Sequence, residues 1–211
     1  MIRFQYGKLG QLLCLGAHAD DIEIGAGGTV LRLLAEYPGV SVHWVVFSAR
    51  DARQEEARRS AARFLAPAKE RNVVIHEFED GFFPYQGQLI KHAFEALKGQ
   101  LQPDLILTHS ASDAHQDHRL INELTWNTFR RHTILEFEIP KYDGDLGRPN
   151  VYVPLSEENC RSKIDYLRSE FVTQANKHWF SENTFLAILR LRGIECAETY
   201  AEAFFARKLV L

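Results

Sequence analysis

The chain has few cysteines, little net charge and no long apolar run. Cys14, Cys160 and Cys196 are scattered and odd in number among 211 residues. No disulfide framework is expected from them, and a reducing, cytoplasmic setting is. Cys14 sits in an apolar strand pattern and reads as a small hydrophobe. A formal charge of −3 provides no general electrostatic drive toward nucleic acid or an anionic membrane, so neither is an expected partner. The opening "MIRFQYGKLG" has no apolar stretch of signal-peptide length, and no run of about 18 apolar residues suggests a membrane span. There is no internal repeat, low-complexity tract or domain linker.

What is present is core material. A hydrophobic fraction of 45% against 25% charged residues fits a packed domain rather than a disordered chain. The length fits one domain spanning 1–211. "QLLCLGA" is apolar with little alternation, as in a central parallel strand covered on both faces. "GGTVLRLLAEY" has helical spacing and stops at Pro38-Gly39. "SVHWVVFSA", "NVVIHEF", "DLILTH" and "TILEFEI" predict further strands. "ARQEEARRSAARFLA", "QLIKHAFEALKGQ" and "RLINELTWNTFRR" predict helices between them. This alternation predicts an α/β fold, Rossmann-like, with a mostly parallel sheet and helices on both faces.

The pattern weakens beyond Pro140. "KYDGDLGRPN" reads as a loop. Ser156 is a candidate cap of the helix "SEENCRSKIDYLRSEF", although the acid at Glu158 is one residue early for a capping box. "ENTFLAILRLRG" predicts a helix closed by Gly193. "AEAFFARKLVL" returns as a strand, with a sheet edge as its expected place. This last third, about 140–211, is expected to complete the fold and to cover the site.

Ligands of open parallel sheets gather at the carboxyl ends of the strands. Two polar clusters fall there, His18-Ala19-Asp20-Asp21 after the first strand and Asp113-Ala114-His115-Gln116-Asp117-His118 after the fourth. Each has a bland explanation. Aspartates before helices are commonly caps, and a lone loop histidine commonly does nothing. A dinucleotide fingerprint on Gly25 and Gly27 would need glycine or alanine at Val30, and the strand-to-glycine turn is interrupted by His18, Asp20, Asp21 and Glu23. The glycines read better as room for close helix–strand packing.

A metal site accounts for more of these residues together. A catalytic zinc takes three protein ligands from imidazole and carboxylate and leaves one position open. His18 and Asp21, three apart on a turn, face one point, and a histidine of the second cluster supplies the third ligand. Asp20 is then a second carboxylate free to move a proton. Iron, cobalt and manganese suit the same donors. Spacing does not choose between His115 and His118.

"AHADDIEIGAGG" together with "PDLILTHSASDAHQDHR" resembles the LmbE-like, or PIG-L, family of metal-dependent deacetylases, which has A-H-x-D-D and H-x-D-H motifs. "EDGFF" and the tail "YAEAFFARKLVL" are also similar to family segments, so the resemblance covers essentially the whole chain. Ala19 stands where the first motif usually has proline. The resemblance implies a Rossmann-like fold and one zinc held by His18, Asp21 and His118. It implies hydrolysis of an N-acetyl group from an N-acetylglucosamine-type sugar conjugate by zinc-bound water, with Asp20 as general base. His115 would face the oxyanion, and Asp117 would orient that histidine and favour its charged form. Some members carry tyrosine where this chain has Asp113, which is left as a substrate contact or a partner behind a ligand.

Arg50, Arg53 and Tyr142 are further substrate-binding candidates, against plain surface roles. His109 is a supporting or a structural histidine, and Trp179 a sugar platform or core. Competing readings are an amidase acting on a larger acyl or thiol conjugate, and a silent sugar- or nucleotide-binding protein. The retained Asp20 argues against silence. A homo-oligomer is compatible with all of them.

Overall fold

The computed structural model describes residue 5 and residues 7–210. The opening stretch "MIRFQYGKLG" and the end of the predicted tail strand therefore fall partly on residues outside this set. Seven strands form one sheet: β1 (Gln11–His18), β2 (Ser41–Ser48), β3 (Glu70–Ile75), β4 (Leu105–His109), β5 (Thr133–Phe137), β6 (Val151–Leu155) and β7 (Tyr200–Phe205). Their order is β3-β2-β1-β4-β5-β7-β6. The first five pair in parallel, and β7 runs antiparallel to both β5 and β6. Among the described residues the α-helices are α1 (Asp21–Glu36), α2 (Asp51–Phe64), α3 (Gly87–Gln100), α4 (Gln116–Thr128), α5 (Glu157–Glu170) and α6 (Glu182–Glu195). Among the described residues no helix is long and apolar enough to cross a membrane.

The uninterrupted apolar run of β1 follows from burial on both faces. Leu12 and Cys14 join a core with residues of α1, α2, α5 and α6. Leu13, Leu15 and Ala17 join another with residues of α3 and α4. Strand order reverses between β1 and β4, so the chain leaves β1 toward one face and β4 toward the other. That divergence opens a crevice at their carboxyl ends, where ligands of such sheets bind.

Several boundaries differ from the sequence expectation. α1 begins at Asp21 and not at Gly27, because packing rather than propensity forms its first turns. A Cβ on Gly25 would lie 2.3 Å from the Phe137 ring, and one on Gly27 2.7 Å from that of Phe64. This is the packing role expected of the glycines. α4 begins at Gln116, so Asp117 and His118 are helical and not part of a polar connection. Ser156 does cap α5, its Oγ accepting the Asn159 N–H at 3.1 Å, with Asn159 where a capping box would have an acid. Gly193 does not close α6, which continues to Glu195; a Cβ there would meet the Thr199 carbonyl oxygen at 2.5 Å. β7 is not an edge strand. The edge on that side is β6, which sequence reading missed because Pro154 interrupts it, and an edge strand is where proline is tolerated.

Candidate metal centre

The two motifs meet across the β1–β4 crevice. His18 is the last residue of β1, and Asp20 follows with φ 116°. This left-handed backbone is costly for a residue with a Cβ and is held by its surroundings. It sends the adjacent carboxylates to different partners. Asp20 Oδ1 accepts from Arg53 Nη2 at 2.9 Å. Asp21, turned inward, accepts the His18 backbone N–H at 2.6 Å.

Three side-chain atoms then converge. His18 Nδ1 and His118 Nε2 are 3.2 Å apart. Asp21 Oδ2 is 3.4 Å from His18 Nδ1 and 3.4 Å from His118 Nε2. Donors about 2.0–2.1 Å from a tetrahedral zinc lie roughly 3.3–3.4 Å from one another, so the triangle has the size such an ion requires. Each histidine also meets a carboxylate through its other nitrogen. His118 Nδ1 is 2.9 Å from Asp113 Oδ2, and His18 Nε2 is 3.2 Å from Asp117 Oδ2. A carboxylate behind a histidine fixes ring and tautomer and leaves the opposite nitrogen as the donor.

Two other histidines border the cluster, and His18, His115 and His118 also bring ring nitrogens within 4.8 Å of one another. One lone pair of each bordering ring is already engaged. His115 caps α4, its Nδ1 accepting the Asp117 N–H at 3.2 Å. His109 is buried; its Nε2 accepts the Ala17 N–H at 2.9 Å and lies 3.2 Å from Asp21 Oδ2.

Electrostatics follow from this packing. Burial pushes the Asp20 carboxyl up to about 6, with Asp21 adding to the rise and Arg53 opposing it. Burial also acts against a charged His18, but hydrogen bonds to Asp117, Asp21 and Asp80 outweigh it and raise the pKa well above the ordinary value. His118 is pushed down to about 4 by burial and by His109. Desolvation works against the Asp21 carboxylate too, yet the surrounding imidazoles hold its pKa well below the usual range.

Not every expected contact forms. The Asp117 carboxylate does not hydrogen-bond the His115 ring, which meets only the Asp117 backbone N–H. Its oxygens accept from Gly81 N at 2.7 Å and Phe83 N at 3.1 Å and face His18. Burial and neighbouring His18 lower the pKa of His115; Asp117 acts in the expected direction, raising it, but is outweighed. Asp117 points away because the tight turn at Gly81, φ 80°, delivers two amide protons to it from the other side. Asp113 is buried and occupied by His118, the His115 N–H and Lys141. Arg50 is turned away, donating to the Glu77 carbonyl; only Arg53 reaches the cluster. Tyr142 is exposed beside His178 and Trp179.

Sequence reasoning missed Asp80, whose exposed carboxylate lies 3.0 Å from His18 Nε2. Its signal was the Asp-Gly pair following the third strand at the same rim. Glu23 was also missed; it is buried, with Oε1 accepting from Ser60 Oγ at 2.6 Å.

Fold and cluster together define an α/β protein with a candidate divalent-metal centre at a switch point of its sheet. Residues 13–129 match the family GlcNAc-PI de-N-acetylase, PIG-L, and the chain belongs to that family. Solved structures with the same fold include the N,N'-diacetylchitobiose deacetylase from Pyrococcus horikoshii, at 20% identity and a TM-score of 0.72 over 94% of this chain and 84% of that one. GalB, the 4-carboxy-2-hydroxymuconate hydratase from Pseudomonas putida KT2440, aligns at 17% identity and a TM-score of 0.76 over 96% and 98%. The zinc-inhibited form of the teicoplanin deacetylase Orf2 aligns at 13% identity and a TM-score of 0.70 over 93% and 97%.

Proposed function

We propose that this chain is a metal-dependent N-deacetylase that hydrolyses the acetamide of a small N-acetylglucosamine-type conjugate in the cytoplasm. The observation that carries the reading is the triangle of His18, Asp21 and His118 donors with Asp20 beside it. The family's de-N-acetylase description and the two deacetylases of the same fold support the reaction class; the hydratase makes the substrate the point to test.

A divalent ion such as zinc, held by His18, Asp21 and His118, would polarise an amide carbonyl and acidify water. The chain's own residues do the remaining work. Asp20, its carboxyl raised to about 6, is matched to proton transfer near neutrality. It takes the proton of the attacking water and returns it to the departing amine nitrogen. Arg53 fixes that carboxylate in one orientation. With Nδ1 spent on the α4 cap, neutral His115 has Nε2–H to donate toward the oxyanion. Asp117 and Asp113 act through His18 and His118, whose rings they hold.

The test is amine release from N-acetylglucosamine and its conjugates by the zinc-loaded protein, with and without a chelator. Chelator-sensitive release supports the reading. A protein that binds zinc but releases no amine from any of these conjugates overturns it.

A further inference from the structure

The turn leaving β4 carries two supports of the His118 ring. His109, the last residue of β4, stacks on that ring with centroids 3.9 Å apart, and its Nε2 lies 3.2 Å from Asp21 Oδ2. Asp113 engages His118 Nδ1 from behind. Whatever fixes this turn therefore also fixes two of the three donors of the triangle. Two buried side chains pin its backbone. Asn122 of α4 donates to the His109 carbonyl at 2.7 Å, and Glu136 of β5 accepts the Ala111 N–H at 2.9 Å through Oε2.

Neither side chain is satisfied by the turn alone. Asn122 and Glu136 are 2% and 3% exposed. A buried amide needs a donor for its oxygen as well as an acceptor for its nitrogen, and a buried carboxylate needs a cation. One residue after β7 supplies both. Arg207 donates through Nη2 to Asn122 Oδ1 at 2.6 Å and through Nε to Glu136 Oε1 at 2.7 Å. Its Cζ lies 4.5 Å from the centre of the Trp126 ring, whose Nε1 reaches the same Glu136 oxygen at 2.7 Å. The backbone just before Arg207 is fixed too. Asn150 accepts the Ala206 N–H at 2.9 Å and donates to the Ala206 carbonyl at 3.1 Å.

An ordinary surface ion pair contributes little, and the Arg207 side chain is itself 45% exposed. Its two acceptors set it apart, because both are buried and both reach the β4 turn. We propose that Arg207 is a positioning residue of the metal centre. By orienting Asn122 and Glu136 it holds the turn, and through His109 and Asp113 it sets Asp21 and His118 for the ion. Charge alone does not meet this geometry. Two acceptors in different directions and an aromatic face use the fork and plane of a guanidinium, which lysine lacks. The consequence for the ion rests on the metal-centre reading, but the latch itself is read without metal.

Amide hydrogen exchange of the metal-free protein reads the latch, and zinc competition with a chromophoric chelator reads the centre. In Arg207→Ala, exchange at Ala111 and Ala17, the amides held by Glu136 and His109, should quicken about tenfold or more by local opening, with the amides of β2 unchanged. Zinc affinity should fall about tenfold, the lower end of the effect of removing a group behind a ligand, and the visible band of the cobalt-loaded protein should shift. Lys208→Ala, whose contacts are the Arg130 carbonyl and the Trp126 ring, should leave all three readings alone. Arg207→Lys keeps a cation beside Glu136 and so guards against simple loss of the fold; its zinc affinity should still fall about threefold. Equal quickening at Ala111 and in β2 would reduce Arg207 to general stability and overturn the proposal. So would wild-type zinc affinity in Arg207→Ala or Arg207→Lys while the wild type binds zinc tightly. A wild type that takes up neither metal rejects the metal centre, and this role with it, even if exchange at Ala111 quickens as expected.

Discussion

His18 Nδ1 and His118 Nε2 face each other at 3.2 Å from sequence positions a hundred residues apart. Two ring nitrogens at that separation, with Asp21 Oδ2 completing the triangle, share either a proton or an ion. The carboxylates of Asp113 and Asp117 behind the two rings favour the ion, since each engages the nitrogen that faces away. Asp113→Asn should therefore weaken zinc affinity about 10- to 100-fold, the usual effect of removing a carboxylate behind a histidine ligand. Competition with a chromophoric chelator measures it, and unchanged affinity would remove Asp113 from the metal's support.

Asp20 sits beside this triangle with its carboxylate on Arg53. Asp20→Asn should reduce turnover by about 10²- to 10⁴-fold, the range of general acid–base catalysis, with zinc content unchanged. Single-turnover kinetics paired with metal analysis separates the two effects. Normal turnover would exclude Asp20 as the base; lost zinc would make it a ligand.

Glu23 gives stability a pH dependence with a definite sign. Burial pushes its carboxyl from 4.5 up to about 8, and Oε2 has no partner. The native state keeps a proton that the unfolded chain releases above about 4.5, so this contribution is whole below that pH. It declines as pH rises toward about 8 and is flat beyond, with a slope of at most about 1.4 kcal/mol per pH unit. Glu23→Gln removes the slope. Urea unfolding of the metal-free protein from pH 5 to 9 should show the variant gaining on the wild type across that window. Parallel curves would mean that native Glu23 is ionised throughout.

Gly25→Ala opposes two effects of known size. Alanine is favoured over glycine within a helix by about 1 kcal/mol. Here its Cβ would lie 2.3 Å from Phe137, and overpacking of this kind costs about 1–3 kcal/mol. The clash should win, with a net loss of stability that Phe137→Leu in the same chain partly restores. A stabilised single variant would mean that the β5–α1 contact is loose.

The sheet was legible where burial is two-sided. The apolar run before His18 and the Pro38-Gly39 stop mark a strand and the end of a helix by local pattern alone. Both motifs were legible because polar residues at strand ends interrupt that pattern. The early start of α1 was not, because acids and glycines there have poor propensity and only Phe137 and Phe64 reveal why they are helical. Nor was the partner of Asp117, which depends on which side two amide groups arrive from. Arg53 was visible as a rim residue, but its choice of Asp20 over solvent depends on how α2 packs. β6 stayed hidden because its stability comes from β7, some fifty residues later in the chain.

The buried ion pairs Arg192–Glu138 and Lys163–Glu202 both join residues of the C-terminal third, the part beyond the family match at residue 129. Each pair travels with that segment if it is moved. The second pair is also a fastening to α1: Lys163 donates to the Ile24 carbonyl at 2.6 Å, and Glu202 accepts the Gly28 and Thr29 N–H groups at 2.8 and 2.6 Å. A chimera taking residues 138–210 from a relative of the same fold should therefore melt at a lower temperature than one that takes residues 21–36 from that relative as well, because the first separates Lys163 and Glu202 from the helix they hold.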